Sequence, residues 1–257
     1  MSETPKAVVF EKANGLGIIT INRPASRNAI DREAALGIAA AIDEIENDPA
    51  VRVGILTGAG GTFCAGLDLK AFLRGDVVKF PKGGFAGLAE AEIAKPMIAA
   101  IEGYALAGGF ELALACDLIV ASSEAKFGLP EVKRGLVARA GGMVRLPRQL
   151  PYRIAMELLL DGELVPAPRL AGYGLLNRIV EPGVALDVAI ELGAAIARNG
   201  PMAVTVTKRI LRESQDWNSQ EMFARQAEMA DPVFRSADAR EGALAFAEKR
   251  EPVWSGE

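Results

Sequence analysis

The amino-acid sequence predicts an α/β fold, and three features carry that expectation. Short apolar runs rich in β-formers lead into glycine turns and then into helical patterns, and this unit recurs along the first half of the chain. A hairpin signal opens the chain. The region from about residue 140 onward reads as mostly helical, so the strands are concentrated ahead of it.

The elements follow in order. Residues 7–12 and 16–22 are apolar and β-rich, with Asn14-Gly15 between them, the dipeptide of a tight hairpin turn. Residues 31–47 predict a helix with Ala35, Ile38, Ile42 and Ile45 on one face, ended by Asp48-Pro49. Residues 51–57 predict a strand that runs into the glycine loop 58–66, with a helix starting at Asp68. Residues 75–92 mix charges and glycines and read as a variable loop or lid. Strands are expected at 96–101 and 117–121, with Gly108-Gly109 opening a helix between them. Further helices are expected at 184–198, 202–215, 219–230 and 237–249. Asn199-Gly200-Pro201 marks a boundary, giving a core over 1–200 and a helical region over 201–257.

Composition narrows the function. The chain has 257 residues, half of them apolar and 24% charged, which is ordinary for a globular protein. The net charge of −4 argues against a general nucleic-acid binder or a polybasic membrane binder. No apolar run is long enough to span a bilayer. The N-terminal stretch has neither a signal-peptide core nor an Arg-rich presequence, so a cytoplasmic location is expected. Cys64 and Cys116 make no disulfide framework. The chain has no histidine, which excludes Ser-His-Asp and Cys-His nucleophile activation and imidazole metal sites. No metal site is expected.

Acid/base work therefore falls to carboxylates. Glu111 is the one side chain charged at neutral pH between Gly103 and Cys116, and Glu131 follows Leu129-Pro130. With Gly108 as N-cap, Glu111 would stand at N3 and could reach back to the cap amide; Glu131 could be an ordinary surface residue. Gly108-Gly109 could be a tight turn, or a helix N-terminus whose free N–H groups hold developing negative charge. The loop at Gly58 matches neither the dinucleotide nor the Walker pattern, because Phe63 interrupts the first and no Gly-Lys-Ser/Thr follows. Lys133, Arg134, Arg139, Arg145, Arg148 and Arg153 read as a solvated basic face, with phosphate or subunit contact as the alternative. Cys116 reads as a small core residue.

Several motifs occur together in order: I-N-R-P-A-S-R-N-A-I at 21–30, F-C-A-G-L-D-L at 63–69, and K-P-M-I-A-A-I-E-G-Y-A-L-A-G-G-F-E-L-A-L-A-C-D from Lys95. Then come K-F-G-L-P-E-V-K-R-G from Lys126, the A-G-G at 140–142, and E-G-A-L-A-F-A-E-K-R at 241–250. Over the whole chain this resembles the enoyl-CoA hydratase (crotonase) family. The resemblance implies a superhelix of repeated ββα turns with a C-terminal helical trimerisation region, and a homotrimer or dimer of trimers. It implies an oxyanion hole from the Leu67 and Gly108 amides, with Glu111 and Glu131 as the acid/base pair. It places the adenine end of coenzyme A near Ala65 and Asp68. Phe246 and Lys249 match positions that reach a neighbouring subunit's ligand. No separate cofactor is implied, since coenzyme A arrives as part of an acyl-CoA thioester.

Possession of both glutamates favours a 2-enoyl-CoA hydratase, with Glu131 taken as proton donor and Glu111 as base. An isomerase of the same fold, a crotonobetainyl-CoA hydratase and a non-catalytic binding protein are the alternatives. One departure stands out: Ala138-Arg139 occupies positions where many relatives carry Pro and then Gly or Asp. The Arg139 N–H is a candidate to help hold the reacting water. Its side chain would favour an acidic acyl tail over a trimethylammonium one, unless it faces outward or pairs elsewhere.

Overall fold

A computed structural model describes residues 6–257; residues 1–5, part of the stretch read for targeting signals, lie outside the described residues. Strands β1 (Val8–Ala13) and β2 (Leu16–Ile21) pair antiparallel. Asn14 and Gly15 both take positive φ between them, as a primed hairpin turn requires. Helix α1 (Arg32–Asn47) is capped by Asp31, whose side chain accepts from the Ala34 amide, and it buries Ala35, Ile38, Ile42 and Ile45. Strand β3 (Val53–Gly58) follows, and Asp68 caps the short α2 (Leu69–Leu73).

The segment expected to be a loop or lid contains a small pair, β4 (Lys79–Phe80) and β5 (Gly84–Phe85), and only its first part is open. Residues 83–89 are buried, with Phe85, Ala86, Leu88 and Ala89 in the main core. The glycines that suggested mobility instead allow close packing: a Cβ on Gly87 would stand 2.8 Å from the Ala39 Cα.

Strands β6 (Met97–Ile101) and β7 (Tyr104–Leu106) lead into α3 (Gly108–Ala115), then β8 (Leu118–Ser122) and β9 (Lys126–Gly128). Helices α4 (Gly142–Gln149) and α5 (Tyr152–Asp161) precede β10 (Val165–Pro166), α6 (Ala167–Ala171) and β11 (Arg178–Val180). The mostly helical reading from residue 140 passed over these last two strands, which are too short to show a period. Helices α7 (Ala185–Ala197), α8 (Pro201–Glu213), α9 (Met222–Phe234) and α10 (Ala237–Glu248) complete the chain.

The strands form one large sheet in the order β1-β2-β3-β6-β8-β11, parallel from β2 onward. Its middle strands are buried along almost their whole length because both faces are covered. The α1 side carries the main core, and α7 closes the other face over Leu16, Ile55, Ile98 and Val120. A second, smaller sheet, β10-β9-β7, runs alongside. Parallel bridges Cys64↔Ala105 and Ile30↔Leu67 extend that second stack back through earlier turns of the chain. Each successive turn therefore adds a strand to the large sheet and a short rung to the second one, the ββα superhelix of the crotonase fold. Beyond Gly200, α8 and α9 bury no residue fully. Lys208 ties α8 to the core through Asp117 at 2.6 Å and the Lys95 carbonyl at 2.7 Å.

Asn28 staples the early turns together. It is fully buried at positive φ, accepts from the Arg23 amide at 2.8 Å, and donates to the Ala59 and Thr62 carbonyls at 2.9 and 2.8 Å. Replacing it with alanine leaves these buried groups unpaired. Asn28→Ala is expected to lower stability by about 2–4 kcal/mol. Urea unfolding checks this, and a loss below about 0.5 kcal/mol, the level of a neutral surface change, would contradict it.

Candidate active site

Adjacent rungs of the second stack bring two loops side by side. The Cys64 amide donates to the Tyr104 carbonyl at 2.8 Å, and the Leu106 amide donates to the Cys64 carbonyl at 2.9 Å. The loop 64–67 consequently lies along the entrance to α3. Gly66, at φ +91, faces that entrance directly: a Cβ there would stand 2.9 Å from the Gly108 amide nitrogen. Gly109 backs onto the Cys64 carbonyl with no room for a Cβ, and Phe85 covers Gly108 where a Cβ would be. Among the described residues, neither the Leu67 nor the Gly108 amide donates a hydrogen bond.

The helix start differs from the capping-box expectation. Ala107, not Gly108, is the N-cap, and it holds φ 50 and ψ −129. That backbone is unfavourable for a residue with a Cβ, costing about 1–3 kcal/mol. It is held by the Ala107 amide donating to the Gly128 carbonyl at 2.9 Å and by the Glu111 amide donating to the Ala107 carbonyl at 3.0 Å. Gly108 is then the first helical residue, and its N–H is one of the orphan amides at the positive end of α3.

Glu111, 3% exposed, does not turn back to the cap. Its carboxylate crosses to the start of α4 and accepts from the Gly142 amide at 2.9 Å, with the Ala140 amide also supporting it. Gly142 leaves the room for this, since a Cβ there would stand 3.1 Å from Oε1. Burial raises the Glu111 pKa, while those amides and the charges of Arg145 and Arg139 oppose the rise. Glu131 lies in a single 3₁₀ turn, Pro130–Arg134, between β9 and α4. Its Oε2 is buried and has no hydrogen-bond partner. Burial first, and the neighbouring Glu111 charge with it, push Glu131 up to about 7, against its own backbone amide and Arg134. Glu131 is therefore not the ordinary surface residue that its sequence position allowed. Two carboxyl groups meet here in unequal environments, one bonded by the α4 amides and one with an oxygen left without a partner.

The remaining expected residues divide. Ala65 is half-buried, and its amide donates to the Arg27 carbonyl at 3.0 Å. The Asp68 carboxylate is fully engaged, with Oδ1 accepting from the Lys70 and Ala71 amides and Oδ2 pairing with Arg23 at 3.1 Å. Its side chain braces the loop. The Arg139 amide donates to the Val137 carbonyl at 2.9 Å, so it is not the free water-holding donor suggested by sequence. The Arg139 side chain is exposed, close enough to act on Glu111. Phe246 and Lys249 lie on the exposed end of α10, away from any packed core. The basic face divides too. Lys133 and Arg148 form exposed pairs with Glu163 and Asp216, whereas Arg145 turns inward. Cys64 and Cys116 are buried, their thiols pushed up to about 12 by desolvation, so neither is a nucleophile at neutral pH. Sequence reasoning missed Gly66, Ala107 and the Ala140 and Gly142 amides as parts of the site. Their visible signals were the motifs that contain them, F-C-A-G-L-D-L, A-L-A-G-G-F-E and the A-G-G at 140–142.

The stacked turns, the paired amides and the paired carboxyls define a crotonase-type α/β protein. The chain belongs to the enoyl-CoA hydratase/isomerase family, whose sequence profile matches residues 11–257. It is 44% identical to enoyl-CoA hydratase EchA19 of Mycobacterium tuberculosis, over 96% of each chain. It is 43% identical to a carnitinyl-CoA dehydratase of Salmonella arizonae, over 93% of this chain and 94% of the other. Among solved structures, an enoyl-CoA hydratase from Mycobacterium tuberculosis H37Rv superposes with a TM-score of 0.96 at 53% identity, covering 98% of this chain and all of the other. A carnitinyl-CoA hydratase from Mycobacterium avium superposes at 0.79 with 42% identity, covering 99% of this chain and 100% of the other. The chain is an acyl-CoA enzyme of this fold. No helix among the described residues is long and apolar enough to cross a membrane.

The raised Glu131 value has a consequence for stability. The fold favours the protonated form, so its contribution is full below the ordinary carboxyl value of 4.5 and is lost as pH rises through about 7. Glu131→Gln keeps the shape and removes the titration. Thermal melts should show the variant gaining on the native protein between pH 5 and pH 8 and exceeding it at the upper end. Parallel curves would contradict the buried, proton-holding state of Glu131.

Proposed function

We propose that the protein is a 2-enoyl-CoA hydratase, adding water across the double bond of a trans-2-enoyl-CoA to give a 3-hydroxyacyl-CoA. The observation that carries this reading is the unequal carboxyl pair, with a Glu131 whose buried Oε2 has no partner beside a Glu111 bonded by the α4 amides. Two groups so placed supply a base and an acid at one pH. The thioester oxygen would lie between the Leu67 and Gly108 amides, which face it with no partner of their own. One such donor is worth about 3–4 kcal/mol of transition-state stabilisation.

In the forward step the water oxygen bonds to C3 while Glu111 takes a proton from that water. The π electrons move toward C2 and the thioester carbonyl, where the two amides hold the developing charge. Glu131 delivers its proton to C2 and becomes the carboxylate. Proton exchange with solvent then returns Glu111 to the ionised form and Glu131 to the protonated one. No metal and no separate cofactor enter this scheme.

The adenine end of coenzyme A is assigned to the 65–68 edge, near Ala65 and Asp68, where the Asp68 carboxylate braces the loop. Phe246 and Lys249 are assigned to a neighbouring protomer's ligand in a trimer or dimer of trimers. Their exposure, Phe246 at 87%, supports that role. The carnitinyl-CoA relatives favour a second reading, hydration of crotonobetainyl-CoA. The side chain of Arg139 is exposed and held by no partner among the described residues, so its charge does not decide between the two readings.

A panel of enoyl-CoAs differing in chain length and tail charge, scored by mass for water uptake, tests the reading. Glu111→Gln and Glu131→Gln should each lower hydration by roughly 10²- to 10⁴-fold. Isomerisation of a 3-enoyl-CoA that survives one substitution, with hydration absent in the native enzyme, would identify an isomerase instead. Turnover of the trimethylammonium substrate above the plain ones would establish the second reading.

A further inference from the structure

The A-G-G turn holds more than Glu111. A Cβ on Gly141 would collide with the Arg145 guanidinium, which folds back over the turn into that space. Gly141 takes φ +113, a conformation that favours glycine. The two glycines thus serve differently, Gly142 making room for a carboxylate and Gly141 holding the left-handed turn over which the guanidinium lies. Arg145 is half-buried and donates to the Ala89 carbonyl at 2.6 Å and, at the limit of a hydrogen bond, to the Ala140 carbonyl at 3.5 Å. Neither acceptor is charged. Ala89 closes the buried 83–89 segment, whose Phe85 covers Gly108.

We propose that Arg145 positions the base of the pair: it clamps the 140–142 turn, whose amides hold Glu111, to the buried 83–89 segment, and lays its own positive charge beside that carboxylate. This rests on the acid/base reading above and deepens it. A guanidinium with no bonded carboxylate partner keeps its charge available to Glu111 without competing for its oxygens. The groups facing Arg145 are Arg212 from α8, Glu111 and Cys116 on α3, and Glu90 at the end of the buried segment. Glu90 is paired with Lys79 at 2.5 Å and Cys116 is neutral, which leaves Arg212 and Glu111 as the main opposing influences. Glu111 in turn faces Arg145, Arg139 and Glu131.

The direction of the effect follows. Arg145 favours ionised Glu111, so removing its charge should move the Glu111 titration to higher pH. Carboxyl-carbon NMR on the labelled full-length enzyme reads this without substrate, with Glu111→Gln assigning the resonance. Arg145→Gln should move the titration upward, and the acid limb of the kcat profile should move with it. At pH 7, kcat should fall roughly 10- to 100-fold with KM changed by less than about threefold. Arg145→Lys, which keeps the charge, should restore the titration. If Arg145→Gln does not fold, Arg145→Met, which keeps the length of the side chain without its charge, should give the same upward shift. An unmoved Glu111 titration in a folded variant would overturn the proposal. If no enoyl-CoA reacts with the native enzyme, the hydratase reading fails and the NMR shift decides the role of Arg145 alone.

Discussion

The close approach of the 64–67 loop to the start of α3 is the constraint on which the site depends. It requires Gly66 and Gly109, where a Cβ would strike the Gly108 amide or the Cys64 carbonyl. It also requires Ala107 to hold a backbone that alanine disfavours, fixed by bonds to Gly128 and Glu111. The superhelix supplies the regular part of this arrangement. Successive turns stack their second rungs in register, so amides at equivalent places in adjacent turns arrive together. Convergence of the Leu67 and Gly108 amides is a product of the repeat, with glycine setting how near they come.

The carboxyl pair depends on the same contact. Helix α3 is apolar and buried along almost its whole length, so Glu111 is carried into the protein by its neighbours. What keeps it tolerable there is the start of α4, which meets it with backbone amides. Glu131 has no such compensation at Oε2. An uncompensated buried oxygen is destabilising in the resting fold, and such a cost is common where a site must remain ready to bond a reacting molecule. The difference between the two glutamates lies in what surrounds them, and the proposed acid/base chemistry draws on that difference in place of histidine.

Much of the scaffold was legible in the sequence because it follows local rules. The Asn14-Gly15 hairpin, the 3.6-residue stripe of α1, its stop at Asp48-Pro49 and the Gly108-Gly109 helix start all lie in short windows. The motifs together gave the superhelix. What was not legible depends on contacts distant in the chain. Residues 83–89 look like a loop until Ala39 and Gly108 are seen packed against them. The two glutamates were identified, but their inequality depends on the Gly142 amide and on an oxygen left bare. The motif gave no sign that the Asp68 carboxylate caps α2 and pairs with Arg23. Arg145 reads as part of a solvated basic face because sequence does not reveal that its guanidinium folds inward to the Ala89 carbonyl.

The central claim is that one acyl-CoA carbonyl fits between the Leu67 and Gly108 amides while both carboxyls face the same reacting carbons. A crystal structure of the enzyme with a non-reacting acyl-CoA thioester tests this most directly. The account predicts the thioester oxygen within about 2.7–3.1 Å of both amide nitrogens, with a water bonded to Glu111 and Glu131 on the side of C3. A thioester oxygen bonded elsewhere, or an acyl chain that leaves one glutamate out of reach, would contradict it.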